Sequence, residues 1–258
     1  MLYRDFTMHQ FELLMTTLKA ADIQFMTVKD YYKNPQGNAV ILRHDIDDRK
    51  ANALKFAELQ NKLGIRGTYY FRIVPQSFDA TIISEIESMG HEIGYHYEDM
   101  DLAHGNMDDA YQLFLSNLAT LRSVANIETI CMHGSPRSDF DNKSVWSKYD
   151  YKKCHVICEP YLDLDFQTLY YITDTGRMWD GNRYSIRDYI TTDKKWPVFH
   201  STRDIIRSIE EGKFPYPVMI NFHPQRWTNH PIEWTAEFIT QRIKNILKAY
   251  RKRKLSAN

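Results

Sequence analysis

The stretch Ala39-Val40-Ile41-Leu42-Arg43-His44-Asp45-Ile46-Asp47-Asp48 decides the fold. It opens as a short apolar run, the kind that a strand buried on both faces requires, and it ends abruptly in charge. Apolar residues at helical spacing follow: Ala51, Leu54, Phe56, Ala57, Leu59 and Leu63, halted by Gly64. Strand, polar end and helix together make one β/α unit.

The unit recurs along the chain. Residues 67–74 are rich in aromatic and β-branched side chains and read as a strand; 80–89 read as a helix closed by Gly90. Residues 91–96 read as a strand, 107–124 as a long amphipathic helix, and 128–132 as a strand that stops at His133-Gly134-Ser135-Pro136. Further on, a short helix is expected near 142–146, a strand at 170–173, a helix at 203–211, a strand at 217–222 and a last helix at 234–250. Ahead of the opening stretch lie a helix at 8–20 and a loop with Asn34, Pro35 and Gly37. The segment 151–196 is otherwise hard to read. Strands alternating with helices predict a parallel sheet, because parallel strands need crossover connections. Six or seven such units in 258 residues predict one α/β domain, 1–258, closed or nearly closed into a barrel. An open doubly wound sheet is the alternative, but no Gly-rich phosphate loop follows any strand.

Charge and cysteine content narrow the function classes. Lys+Arg and Asp+Glu both total 33, so the formal net charge is zero, and no nucleic-acid partner is expected. The basic run Arg251-Lys252-Arg253-Lys254 reads as a solvated helix end. Cys154 and Cys158, with His155 between them, lack a second Cys/His pair at zinc-site spacing, so reduced thiols are expected. Few cysteines, an N-terminal segment without the basic-then-apolar signal pattern, and no apolar run of spanning length give the expectation of a cytoplasmic protein without a membrane span.

The chemistry is positional. Strand-like runs end at His44-Asp45-Ile46-Asp47, at His96, at His133 and at His223. Parallel α/β folds build their sites from strand C-terminal ends, so these groups are expected to converge. Residues two apart share a strand face, which points Asp45 and Asp47 into one mouth. Two neighbouring carboxylates repel unless one is protonated or a cation lies between them. Asp48 is expected to cap the helix that follows.

These residues resemble the polysaccharide-deacetylase (NodB-homology) superfamily. Ile41-Leu42-Arg43-His44-Asp45-Ile46-Asp47 looks like its first motif, a strand ending in a general base and a metal-binding acid. Gly90-His91-Glu92-Ile93-Gly94-Tyr95-His96 resembles the stretch carrying its first metal histidine. Ile220-Asn221-Phe222-His223 resembles the strand ending in its general acid. Gly67-Thr68-Tyr69-Tyr70-Phe71 matches its second strand. The resemblance implies a distorted (β/α) barrel with about seven parallel strands. It also implies a divalent metal, zinc first among the candidates. The implied reaction is hydrolysis of an N-acyl group, N-acetyl above all, on a sugar or glycan-biosynthesis intermediate. Asp45 and His223 would be catalytic, and Asp47 and His96 metal ligands. The chain departs from the family where the second metal histidine belongs, at Met100. Glu98, His104 and His133 are the candidate third ligands, and His133 is the choice; it stands where the family usually has an arginine-proline motif. Glu98, Arg177 and Trp179 are candidates to line the substrate site, for an acylated sugar or related small molecule. Some superfamily members act on cyclic amides without the metal triad. A metal-independent amide hydrolase and a non-catalytic carbohydrate-binding barrel are therefore the alternatives.

Overall fold

The computed structural model describes residues 3–135, 138–180 and 190–255, with side chains as far as residue 249. Pro136 and the side chains of Arg251 to Lys254 lie outside the described residues. The elements run α1 (Met8–Ala20), β1 (Gln24–Met26), α2 (Val28–Lys33), β2 (Ala39–Ile46), α3 (Lys50–Lys62), β3 (Thr68–Phe71), α4 (Ala80–Ser88), β4 (Glu92–Tyr97), α5 (Asp99–Leu102), α6 (Met107–Arg122), β5 (Ile127–Met132), α7 (Pro160–Asp163), β6 (Tyr170–Thr173), α8 (Thr202–Glu210), β7 (Val218–Phe222) and α9 (Pro231–Leu255). The short helix expected near 142–146 is a 3-10 helix, Asn142–Ser147.

The strands are hydrogen-bonded in the order β5-β4-β3-β2-β7-β6, every pair parallel. β1 pairs with the first half of β2, at Ala39, Val40 and Ile41, and β3 takes over from Arg43 onward. Sequence reading misses β1 because three residues carry too little periodicity to detect. The sheet curls on itself. Ile41 of β2, Tyr70 of β3, Cys131 of β5, Tyr171 of β6 and Met219 of β7 pack into one interior cluster, so the two ends of the strand order meet. Among the described residues β5 and β6 do not pair. The free edge of β5 instead bonds an irregular segment, with Ile130 N donating to Cys158 O at 3.1 Å and Ile157 N to Glu128 O at 2.8 Å. That opening makes the molecule a distorted (β/α) barrel.

Alternation along β2 sorts its side chains. Val40, Leu42 and Ile46 join the outer core between sheet and helices, which includes Phe11, Phe56, Phe222 and Trp227. His44 also faces the helices: its Nδ1 lies 3.0 Å from Thr68 O and its Nε2 3.0 Å from Gln60 Nε2. Arg43 and Asp45 share the other face, as residues two apart must. Gly94 on β4 is needed for close approach inside the barrel. A Cβ there would sit 2.3 Å from Tyr70 Cε1 and 3.0 Å from Thr129 O. All three cysteines are buried thiols that form no disulfide. Helix α3 begins at Lys50 with Arg49 at its N-cap, φ 51°, and no side-chain cap. Asp48 is thus one residue too early to be the cap, and its Oδ1 accepts from Arg49 N at 2.7 Å instead.

Candidate active site

Three strand ends deliver ligand atoms to one point. Asp47 follows β2, His96 lies near the end of β4, and His133 follows β5. Ligand atoms of all three lie within 4.8 Å of one another. His96 Nε2 and His133 Nε2 each stand 3.5 Å from Asp47 Oδ1. Among the described residues that oxygen is buried and has no hydrogen-bond donor, since 3.5 Å is too long for a good bond. The opposite nitrogen of each ring is fixed. His96 Nδ1 is 2.9 Å from Cys131 O, and a carbonyl only accepts, so Nδ1 carries the hydrogen and Nε2 keeps its lone pair. His133 Nδ1 is 3.0 Å from Glu98 Oε2, which fixes the same tautomer. Two imidazole nitrogens and an orphaned carboxylate oxygen form a donor set suited to a zinc-like divalent ion, so the residues fit the metal that the resemblance implies. Burial pushes the Asp47 carboxyl up, but the three histidines around it prevail and hold it well below the usual range. Burial pushes His96 down, but Asp45 and Asp47 prevail and its pKa is raised.

Asp45 lies beside this cluster, its Oδ2 3.8 Å from His96 Nε2. Arg43 clamps it with two bonds, Nε to Oδ1 at 2.9 Å and Nη2 to Oδ2 at 2.7 Å, and Asn221 Nδ2 adds a third at 3.0 Å. A carboxylate offers about four acceptor sites, so one remains for a proton donor. Burial raises the Asp45 pKa, but Arg43, with His96 and His223, outweighs it and holds the pKa below the usual carboxylate value. On the other side His223 Nε2 is 3.9 Å from Asp47 Oδ2. Its Nδ1 is 2.6 Å from Asp174 Oδ1, which leaves Nε2 directed at the cluster. Asp174 also accepts from His223 N, Arg226 Nη1 and Trp227 Nε1 at 3.0, 2.8 and 2.6 Å. Burial would raise this carboxyl, but His223 and Arg226 keep it lowered.

Comparison with known proteins adds little at this point. No family model matches, and no curated protein matches. Among solved structures the chain is similar to the crystal structure of the Xyl-CE4 domain of a multidomain xylanase from the hindgut metagenome of Trinervitermes trinervoides. The two are 10% identical, the match covers 78% of this chain and 80% of that one, and the TM-score is 0.37. A likeness that distant says nothing of activity.

The remaining candidates separate. Met100 is buried with Ala110 and Val145, away from the ligand atoms, because α5 turns it outward from the barrel. His104 is exposed at a left-handed turn, φ 49°. Glu98 is not an open substrate contact: its oxygens accept from Arg72 Nε and Nη2 at 3.0 and 2.7 Å, besides His133. It also forms a second acidic cluster with Asp101 and His133. Arg177 and Trp179 must be corrected. Trp179 is core, stacked on Phe6 and edge-on to Phe222 and Trp227, with its indole N–H on Thr202 Oγ1. Arg177 is buried under α9, 4.4 Å above the Trp234 ring. Both lie on the loop after β6, where Gly176 turns the chain away from the mouth. Asp174 on that loop was missed as a site residue, although it obeys the same strand-end rule as Asp45. A cavity of about 570 Å³ opens over Asp47 and His133, bordered by Arg72 and Gln225 and by Gln241 and Lys244 of α9.

Proposed function

We propose that this chain is a metal-dependent hydrolase that removes an N-acyl group, foremost N-acetyl, from a sugar or a glycan-biosynthesis intermediate. The observation that supports it best is the convergence, at one barrel mouth, of the Asp47–His96–His133 cluster with Asp45 on one side and His223 on the other. A divalent ion held by Asp47, His96 and His133 would supply Lewis acidity toward the acyl carbonyl and lower the pKa of water. The chain's own residues carry the protons. Asp45, ionised by Arg43, accepts the proton of the attacking water at its remaining acceptor site. His223 gives a proton from Nε2 to the departing amine, which is otherwise too poor a leaving group. Asp174 holds the His223 ring with Nδ1 protonated and steadies the cationic form that must donate.

The test is release of acetate from N-acetylated amino sugars and their nucleotide- and lipid-linked forms by wild type, Asp45→Asn and His223→Ala. Turnover by wild type that both substitutions abolish supports the reading. Full turnover by Asp45→Asn on the same substrate overturns its role as base. Turnover that survives chelation would instead select the metal-independent amide hydrolase.

A further inference from the structure

Helix α9 has a mixed inner face and an aliphatic outer one. Glu237, Gln241 and Asn245 are buried, with Asn245 Nδ2 donating to Gly176 O at 2.8 Å and Gln241 Nε2 to Asn245 Oδ1 at 2.9 Å, and Trp234 and Phe238 are half-buried over Arg177. Its large aliphatic residues up to residue 249 point away from the molecule. Ile232, Ile239, Ile243, Ile246 and Leu247 are all more than half exposed, from 54% at Ile239 to 76% at Ile232. At 3.6 residues per turn Ile232, Ile239, Ile243 and Ile246 fall within about 60° of arc and form a stripe about 21 Å long. A continuous exposed stripe of this kind marks a surface that meets something.

The charge of the helix indicates what. From residue 238 to residue 255 the sequence carries seven cations, Arg242, Lys244, Lys248, Arg251, Lys252, Arg253 and Lys254, and no Asp or Glu, in a chain of zero net charge. Arg242 is exposed beside the stripe, and Lys244 is exposed about 100° round the helix, at the cavity. Pairing with a second copy fits poorly. With the isoleucines at 232, 239 and 246 on one seam position, Ala236, Ile243 and Tyr250 take the other, but each copy would bring seven cations and no acid along residues 238–255, and two such helices repel. An anionic lipid surface satisfies both features, taking the apolar stripe into the interface and the cations among the phosphates.

We propose that α9 lies in the plane of an anionic membrane surface and holds the mouth of the cavity against the headgroups. Lys244, Leu247 and Lys248 of this helix border the cavity that contains Asp47 and His133, so the mouth and the docking face adjoin. If the hydrolase reading holds, the substrate class that follows is an acylated sugar on a lipid carrier. That corollary rests on the proposed function; the docking surface does not, and vesicle binding is read without turnover.

The experiment is flotation of the full chain with vesicles of phosphatidylcholine alone and of equal parts phosphatidylcholine and phosphatidylglycerol, at low and high salt. It is repeated with Ile239→Ser, Ile243→Ser and Arg242→Gln, with circular dichroism to verify folding. The expected result is binding to the anionic vesicles only, weakened by salt, and weakened about tenfold by each isoleucine replacement. Failure of the folded wild type to float with anionic vesicles overturns the proposal. So does flotation that the α9 substitutions leave unchanged, or a dimer by light scattering that Ile243→Ser converts to monomer, which would show a second copy covering the stripe.

Discussion

At the residue scale, the account gives each polar side chain at the mouth a separate task. Asp45→Asn keeps the shape and one of the two bonds to Arg43 but removes the base; kcat is expected to fall by about 10²- to 10⁴-fold, with folding checked by circular dichroism. His223→Ala is expected to fall by a similar factor, and the pH–rate profile of Asp45→Asn should lose its acidic limb. Glu98→Gln tests positioning. Glu98 accepts the His133 Nδ1 hydrogen and is itself pinned by Arg72, so the variant is expected to weaken metal affinity by about 10- to 100-fold, read by competition with a chromophoric chelator. Unchanged affinity would mean that His133 is oriented by something else. Asp45, Asp47, His96, His133 and His223 were legible in sequence because each ends an apolar run. Their anchors were not. Nothing in Arg43, Arg72 or Asn221 taken singly marks it as the partner of a carboxylate that the fold brings near from another strand.

At the element scale, β2 carries the argument, because its alternation sends Arg43 and Asp45 inward and His44 outward. His44 sits neutral in a fully buried place, its pKa pulled down to about 3 by burial. The sign follows directly. The unfolded chain takes up this proton near pH 6.5 and the folded chain only near 3, so between those values the unfolded state binds more protons and stability falls as pH falls. The expected slope is roughly 1 kcal/mol per pH unit from this group, measured by urea unfolding at several pH values, and reduced in His44→Gln. Gly94→Ala places a methyl against Tyr70 and the Thr129 carbonyl, and is expected to cost about 1–3 kcal/mol by the same assay. Long elements such as α1 and α6 were readable from periodicity. The three-residue β1 was not, and Trp179 misled because an aromatic in a loop looks alike in sequence whether it lines a cavity or plugs the core.

At the scale of the whole molecule, the parallel barrel was legible from the repetition of strand, polar end and helix. The gap between β5 and β6 was not, since the segment around Cys158 bonds β5 without strand periodicity. At the mouth, Asp47 after β2, His96 of β4 and His133 after β5 bring ligand atoms from three strand ends together, so an ion held there would bind the folded chain and not the unfolded one. Zinc is therefore expected to stabilise the fold: at one hundred times its Kd the gain is about 2.7 kcal/mol, seen as a rise in Tm that chelation reverses and that His96→Ala lacks. The central claim is the metal site itself, and elemental analysis of protein purified without added metal, then reconstituted with zinc and desalted, tests it most directly. The account predicts about one equivalent of a divalent transition metal in wild type and none in His96→Ala or His133→Ala. A folded wild type that holds no metal after reconstitution would contradict it.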